Sequence, residues 1–184
     1  MFKIFKLKSY LPYGVYKTIF DIDYKNLFNQ NKRYILIDLD NTIIPYDVSI
    51  PNQEHVQFFE ELINIGFKVV IISNNKSERV GDFAATLKVP YVSSAAKPLK
   101  RGYKKAFKIL NIKDTSLVIA IGDQLMTDVL GGSRVNIDTI LVKAIKKKSE
   151  KWYTKINRHM ERITLNRIKK KYPEVYNKIM KLED

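Results

Sequence analysis

The chain of 184 residues contains no cysteine and two histidines, His55 and His159. The absence of cysteine excludes a disulfide framework, a thiolate nucleophile, an iron–sulfur cluster and a cysteine-based zinc site. Two histidines are too few for a multi-histidine metal site within one chain. No run of about 18 apolar residues occurs, so we expect no membrane-spanning helix. The first residues alternate lysine with apolar residues, so we expect no cleaved signal peptide and a cytoplasmic location.

Net charge is absent from the middle of the chain and strongly positive at both ends. Residues 1–33 carry a net charge of +5, residues 143–184 carry +9, and residues 34–142 are neutral. We therefore expect a basic amphipathic flank at 1–33, a core at 34–142 and a basic helical extension at 143–184. Such flanks bind anionic lipid headgroups or nucleic acid. The alternative is that both flanks are simply solvated surface.

The core alternates strand-like and helix-like segments, and 45% of all residues are hydrophobic. The strand-like segments are short apolar runs at 34–39, 67–72, 90–93, 116–121 and 138–142. Apolar residues recur at helical spacing in 53–65, 77–87 and 99–110. We also expect a short helix from about residue 127 that ends at the pair Gly131–Gly132. Apolar strands joined by helices predict an α/β fold, a Rossmann-like doubly wound parallel sheet of five strands.

Polar side chains follow the carboxyl ends of four of these strands. They are Asp38, Asp40 and Thr42 after the first strand, Ser73 and Asn74 after the second, Lys97 after the third, and Asp123 and Asp128 after the fourth. In open α/β sheets, ligands bind outside the carboxyl ends of the strands. Three carboxylates there (Asp38, Asp40 and Asp123) would repel each other without a bound cation. Hard carboxylate oxygens select Mg²⁺.

These residues resemble the four motifs of the haloacid dehalogenase (HAD) superfamily of aspartate-nucleophile phosphatases. Asp38, Asp40 and Thr42 match Asp-x-Asp-x-Thr, Ser73 and Lys97 match the second and third motifs, and Asp123 and Asp128 match the acidic fourth motif. More narrowly, the segments IDLDNT, IISNN, AKPL and GDQLMTDVLGG resemble the YqeG-type phosphatases of subfamily III. That group is related to the mitochondrial phosphatidylglycerophosphate phosphatases.

The resemblance implies a role for each residue. Asp38 would be the nucleophile and Asp40 the general acid and base. Ser73 would hydrogen-bond a phosphoryl oxygen, and Lys97 would stabilise the transition state. Mg²⁺ would be held by Asp38, the main-chain carbonyl of Asp40, and Asp123. Supporting roles fall to Asp128, which would orient Lys97 or a metal-bound water, to Asn74 as an extra metal or phosphate contact, and to Thr42, which would tie the turn.

Short connections exclude a cap domain over this site. The segments from Thr42 to Ser73 and from Ser73 to Lys97 have room for little beyond one helix and one strand each. We therefore expect a site without a cap, open to solvent on one side. Such a site suits a macromolecular or membrane-embedded phosphomonoester better than a small metabolite.

The flanks have apolar residues among their lysines and arginines. They are Phe2, Ile4, Phe5 and Leu7 near the start, and Trp152, Ile156, Met160 and Ile163 as a helical stripe near the end. Each set either lies in an anionic lipid interface or packs on the domain.

The sequence thus predicts a Mg²⁺-dependent phosphomonoester hydrolase that works through an aspartyl phosphate. From the resemblance, the expected substrate is phosphatidylglycerophosphate and the product phosphatidylglycerol. The expected partner is an anionic lipid headgroup, with peripheral membrane association through the flanks. One alternative is a HAD phosphatase for a nucleotide, sugar phosphate or phosphoprotein. Another is a nucleic-acid- or ribosome-associated binding module on a HAD scaffold.

Overall fold

The computed structural model describes residues 5–145 and 152–182, without the side chains of residue 77 and residues 152–159. In these ranges a single parallel sheet has six strands in the order β1-β6-β5-β2-β3-β4. The strands are β1 (Gly14–Tyr16), β2 (Tyr34–Ile37), β3 (Lys68–Ile72), β4 (Tyr91–Val92), β5 (Val118–Gly122) and β6 (Asp138–Val142). The α-helices are α1 (Tyr24–Asn29), α2 (Gln53–Ile65), α3 (Ser77–Thr86), α4 (Lys100–Ile109), α5 (Leu130–Arg134), α6 (Trp152–Lys171) and α7 (Pro173–Met180). The predicted parallel α/β architecture is confirmed.

Apolar residues fill both faces of the strands because helices cover the sheet on both sides. In β2, Ile35 and Ile37 belong to a cluster that includes Phe83 of α3. Leu36, which points to the opposite face, packs in a second cluster with Tyr103 of α4. Successive residues of a strand point to opposite faces, so this burial explains why the apolar runs lack polar alternation.

The strand order places the chemistry-bearing turns together. Strand β2 lies between β3 and β5, with Ile37 opposite both Ile71 and Ile121. From β2 the chain proceeds outward through β3 and β4 on one side, then through β5 and β6 on the other. In doubly wound sheets this reversal of order opens a crevice at the carboxyl ends of the strands. The turns after β2 and β5 flank that crevice.

The predicted number of strands, five, is wrong by one. The additional strand, β1, pairs in parallel with β6, with Gly14 opposite Ile140 and Tyr16 opposite Val142. Its three residues have no periodic pattern of their own. Pairing with the free edge of β6, a tertiary effect, makes this part of the 1–33 flank a strand.

The pair Gly131–Gly132 lies inside its helix, although we predicted that it would end it. A π-helical turn at Leu125–Val129 continues directly into α5. A Cβ atom on Gly131 would lie 2.4 Å from the hydroxyl oxygen of Tyr103, and one on Gly132 would lie 2.1 Å from Oγ1 of Thr139. The two glycines therefore allow α5 to approach its neighbours closely, a use of glycine distinct from helix termination.

The two basic flanks pack on each other. Tyr10 from the first flank joins Ile168 of α6 and Ile179 of α7 in one apolar cluster beside β6. Phe5 and Leu7 pack against the same cluster, whereas Phe2 and Ile4 lie outside the described residues. Of the two readings for the first flank, the described residues show packing on the domain.

The two described residues of the apolar stripe predicted near the end of the chain lie away from the face through which α6 packs. Met160 and Ile163 are each 45% exposed, whereas Thr164 and Ile168 are buried. The side chains of Trp152 and Ile156 lie outside the described part. In the described side chains, the buried face of α6 at Thr164 and Ile168 is thus rotated from Met160 and Ile163.

Neither insertion point contains a cap domain within the described residues. The chain from β2 to α2 is a loop of residues 38–52, and only α3, β4 and short turns separate β3 from Lys97. None of the helices described combines the length and the apolar character that crossing a bilayer requires.

Candidate active site

The turn after β2 forms the centre of the candidate site. The main-chain N–H of Asp38 donates to the carbonyl of Ile121 at 2.9 Å, so the sheet ladder extends to this residue. Asn41 then adopts a left-handed conformation with φ of 62°, which asparagine tolerates better than most residues. The hydroxyl of Thr42 donates to Oδ2 of Asp38 at 3.4 Å, which links the turn to that carboxylate.

Lys97 joins two buried carboxylates. Its Nζ donates to Oδ1 of Asp38 at 2.5 Å and to Oδ1 of Asp128 at 2.6 Å. Asn74 holds the main chain of this lysine: Nδ2 of Asn74 donates to the Lys97 carbonyl at 3.1 Å, and the Lys97 N–H donates to Oδ1 of Asn74 at 2.6 Å. Asn74 thus positions the main chain of Lys97, and its expected contact with a metal or phosphate stays a prediction.

The turn after β5 supplies the other two carboxylates. A Cβ atom on Gly122 would lie 2.3 Å from Cγ of Asp128, so only glycine lets that carboxylate fold back against the strand end. Asp128 also accepts from the hydroxyl of Thr127 at 3.0 Å and the N–H of Gln124 at 3.2 Å. Both carboxylate oxygens of Asp123, in contrast, are buried without a hydrogen-bond partner among the residues that the structure describes.

Asp38, Asp123 and Asp128 form an acidic cluster whose nearest carboxylate oxygens lie within 4.8 Å of one another. Buried carboxylate oxygens without a partner are costly in free energy, and a divalent cation would supply the partner that Asp123 lacks. A set of carboxylate oxygens suits Mg²⁺. These residues therefore fit a magnesium ion, and Asp128 lies in the cluster beside the two side chains predicted as ligands.

The pKa values of the buried groups reflect the excess of carboxylates over cations in this cluster. Burial raises the pKa of Asp38 to about 7, with the Lys97 ammonium acting against it and the Asp128 and Asp40 charges adding to it. Burial also raises the pKa of Asp123 well above its usual range, and Asp38 and Asp128 add to that shift. For Lys97, burial lowers the pKa, but the Asp128 and Asp38 carboxylates outweigh it and the net shift is upward.

Asp40 lies in a different environment from Asp38. The hydroxyl of Ser73 donates to Oδ2 of Asp40 at 3.1 Å, and the Arg79 guanidinium forms an ion pair with Oδ1 of Asp40. Arg79 also donates through Nη2 to the carbonyls of Pro45 at 3.2 Å and Val48 at 2.5 Å. One arginine thus joins Asp40 to the loop that follows the first motif.

Sequence analysis missed Arg79. The residue lies on α3, six positions after Ser73, and belongs to none of the four motifs. Its spacing gives no signal, because the partners Asp40, Pro45 and Val48 come from a distant part of the chain.

The residues of the candidate site are largely buried. Asp38 and Lys97 are each 6% exposed and Asp123 is 9% exposed. Helices α6 and α7, which follow the core, border a cavity that reaches Asp123. Partial enclosure therefore comes from the end of the chain, although no cap is inserted in the core.

Comparison with known proteins agrees with this geometry. A family model described as haloacid dehalogenase-like hydrolase matches residues 16–136. A Bacillus subtilis protein named probable phosphatase YqeG is 38% identical over 164 residues, which cover 89% of this chain and 94% of the relative.

Two solved structures share the fold. One is an uncharacterized protein from Listeria monocytogenes serotype 4b, with a TM-score of 0.51 and 15% identity over 65% of this chain and 84% of that protein. The other is a 3-deoxy-D-manno-octulosonate 8-phosphate phosphatase from Yersinia pestis, with a TM-score of 0.50 and 18% identity over 68% of this chain and 71% of that one.

Proposed function

Because this chain belongs to the haloacid dehalogenase-like hydrolases, we propose that it is a Mg²⁺-dependent phosphatase with Asp38 as its nucleophile. The observation that carries the proposal is the acidic cluster: Lys97 joins Asp38 to Asp128, and the unpartnered Asp123 carboxylate lies beside them. The relative named as a probable phosphatase supports the reaction class.

Two displacements at phosphorus account for the chemistry. In the first, an Asp38 oxygen bonds to phosphorus while the bond to the leaving oxygen breaks, and Asp40 gives its proton to that oxygen. In the second, water bonds to phosphorus, Asp40 accepts the water proton, and the bond to Asp38 breaks to release phosphate. Asp38 and Asp40 can divide these roles because their carboxylates have different partners: Asp38 pairs with Lys97, and Asp40 pairs with Arg79.

Positive charges held in fixed positions allow the Asp38 carboxylate to approach the anionic phosphate of the substrate. Mg²⁺ held by Asp38, Asp123 and the main-chain carbonyl of Asp40 would neutralise charge on the phosphoryl group and the nucleophile. Lys97, already 2.5 Å from Asp38, provides a preorganised positive charge. Ser73 donates to Asp40 in this structure, and its hydroxyl is the group we assign to a phosphoryl oxygen when substrate is present.

Hydrolysis of an aryl phosphate with and without Mg²⁺ tests this proposal. We expect turnover to require Mg²⁺ and to fall by a factor of about 10³ or more in Asp38→Asn, which removes the nucleophile. Asp82→Asn, an exposed carboxylate on α3, is the matched control and retains activity. Full activity in Asp38→Asn would contradict the proposed mechanism.

For the substrate we propose phosphatidylglycerophosphate. The support is the motif resemblance, the absence of an inserted cap in the described residues, and a basic groove where the two flanks meet. The groove is lined by Lys6, Leu7, Lys8, Arg167, Lys170, Lys171 and Tyr172. Anionic headgroups attract such clusters with about 1 kcal/mol per basic residue near the surface. We infer peripheral membrane association through this groove.

Two measurements test the substrate and the membrane separately. The initial rate of hydrolysis should be higher for phosphatidylglycerophosphate than for a sugar phosphate, a nucleotide or a phosphopeptide. Much faster hydrolysis of the sugar phosphate would contradict the lipid assignment. Binding to anionic vesicles should exceed binding to RNA at one ionic strength and fall as salt rises. The variant Lys170→Glu/Lys171→Glu should lose vesicle binding, whereas Lys104→Glu/Lys108→Glu on α4 should retain it.

A further inference from the structure

Helix α6 contacts the turn that carries the acidic residues of the fourth motif. The main-chain N–H of Leu125 donates to Oε1 of Glu161, on α6, at 2.9 Å. Leu125 lies two residues after Asp123 and begins the π-helical turn that also carries Asp128. The side chains of Glu161 and Asp123 line the same cavity. A carboxylate from the end of the chain is thus bonded to the main chain between the two acidic residues of this turn.

We propose that Glu161 is a positioning residue for Mg²⁺ binding, because its hydrogen bond to Leu125 fixes the turn that presents Asp123 to the metal. The inference rests on the phosphatase function proposed above and adds a residue that none of the four motifs contains. The first N–H groups of a helical turn have no acceptor within that turn. In the described structure the side chain of Gln124, which precedes the turn, does not cap them. A carboxylate is a strong acceptor for such an N–H.

Further contacts seat α6 on this turn. Thr164, almost one helical turn after Glu161, is buried, and its hydroxyl lies 3.9 Å from Sδ of Met126. Ile168, about one more helical turn along, is buried in the apolar cluster that contains Leu125. Positions 161, 164 and 168 are separated by three and four residues, so they share one face of α6. The packing of that face holds the Glu161 carboxylate against the turn.

A second way for Glu161 to act on the metal would be through its charge alone. Burial is the main cause of the raised pKa of Asp123, and the Glu161 carboxylate is among the acidic groups that add to it. Among the described residues, however, the carboxylates close enough to share an ion are those of Asp38, Asp123 and Asp128, and Glu161 is not in this group. Its direct contact with the turn is the hydrogen bond to Leu125. Glutamine separates the two possibilities, since it keeps an acceptor oxygen and loses the charge.

The position of Glu161 extends the catalytic unit beyond the segment shared with the wider family. The family match spans residues 16–136, whereas α6 comprises Trp152–Lys171. Groups that orient metal ligands affect metal affinity almost as strongly as the ligands do. The chain after β6 therefore contributes to the metal site, although it supplies none of the ligands that we propose.

Isothermal titration of the full chain with Mg²⁺ tests the inference. Glu161→Met keeps the length of the side chain and removes the carboxylate, so we expect the dissociation constant for Mg²⁺ to rise about 10-fold. The Tm of the metal-free protein should change little, and exchange of the Leu125 amide hydrogen should accelerate while β2 and β3 stay unchanged. Glu161→Gln should recover most of the lost affinity. Glu174→Met, the same change at an exposed position of α7, should match the wild type.

Two results would overturn the inference and leave the phosphatase function standing. An unchanged dissociation constant in Glu161→Met, even with a lower Tm, would mean that Glu161 only stabilises the fold. Equal losses of affinity in the Met and Gln variants would mean that its charge acts without the hydrogen bond. A wild-type protein that neither binds Mg²⁺ nor hydrolyses an aryl phosphate would overturn the proposed function and this inference together.

Discussion

Two groups of charged residues meet at the turn after β2 and differ in burial and in their cation. We call the group around Asp38 and Lys97 the first side, and the pair of Asp40 and Arg79 the second side. On the first side, the side chains of Asp38, Lys97 and Asp128 are at most 9% exposed. On the second side, the side chains of Asp40 and Arg79 are 18% and 17% exposed. Counting only described residues, the first side holds three acidic residues (Asp38, Asp123 and Asp128) for one lysine, whereas the second pairs one carboxylate with one arginine.

This difference shows how one short motif produces two kinds of carboxylate. Burial and neighbouring acidic groups leave the first side short of positive charge, which favours a cation and an anionic substrate phosphate. The second side is balanced and tied to the loop at Pro45 and Val48. The same contrast predicts that the first side tolerates the loss of its cation less well than the second.

The largest effect is expected for Lys97→Met. Removal of the ammonium leaves Asp38 and Asp128 buried without their cation, so the free energy of unfolding should fall by about 3–5 kcal/mol. Turnover should fall by a factor on the order of 10³ because a transition-state charge is lost. Urea unfolding and steady-state kinetics measure both. The control Lys100→Met, at an exposed position three residues further along the chain, should change neither the free energy of unfolding nor turnover. If Lys97→Met also changed neither, the two sides would not differ as inferred.

Asp123→Asn should have the opposite effect on stability. Its carboxylate has no partner in the described structure, so a neutral amide should raise the free energy of unfolding of the metal-free protein by about 1–3 kcal/mol. The stabilisation that Mg²⁺ gives the wild type should disappear at the same time. Thermal unfolding with and without Mg²⁺ measures both changes. Lower stability of the metal-free variant would contradict the charge imbalance inferred for the first side.

Arg79→Ala should act on the second side with a smaller cost in stability, about 1–2 kcal/mol, because the pair is partly exposed. We expect kcat to fall about 10- to 100-fold with little change in KM, since Asp40 loses its orientation. Arg79→Lys should recover part of this loss because it keeps the charge but lacks the forked donors.

Amide hydrogen exchange separates positioning from general destabilisation. Exchange should accelerate for the loop of residues 45–48 in Arg79→Ala, with β2 and β3 unchanged. Arg101→Ala, an exposed arginine on α4, is the matched control. A uniform increase in exchange throughout the sheet would mean that Arg79 stabilises the fold without a particular role for Asp40.

The smallest effect concerns the change of stability with pH between pH 6 and pH 8. Burial raises the pKa of Asp38 in the folded state to about 7 from 3.8, so the folded metal-free protein binds a proton that the unfolded chain releases. Stability should therefore fall as pH rises from about 4 to about 7, with about 1 kcal/mol of the loss between pH 6 and pH 8. Mg²⁺ competes with that proton, so its effect on Tm should be greater at pH 8 than at pH 6. An identical effect at both values would argue against Asp38 as a ligand.

Several features could be predicted because they depend on local pattern. Strand β6 has the predicted bounds, Asp138–Val142, and α2 has the predicted bounds, Gln53–Ile65. Continuous apolar runs identify buried strands, and parallel strands bring their carboxyl ends to one edge. That rule alone predicted that Asp38, Lys97 and Asp123 would lie close together.

Other features depend on partners that are distant in the sequence. Strand β1 exists because β6 offers a free edge. Position 131 inside a helix is glycine because a Cβ atom there would collide with Tyr103. The buried face of α6 follows Ile168, which meets Tyr10 from the other end of the chain. No window of neighbouring residues contains these pairs.

The sequence by itself determined the type of fold and the chemical groups at the site, because hydrophobic runs and the residues that follow them are local properties. The tertiary structure decided how those groups are paired. Lys97 lies between two carboxylates, Arg79 pairs with Asp40, and Asp123 has no hydrogen-bond partner within the described part of the chain. It also decided that α6 and α7 would wall a cavity beside Asp123. These outcomes depend on which surfaces pack together, and packing is a property of the whole chain.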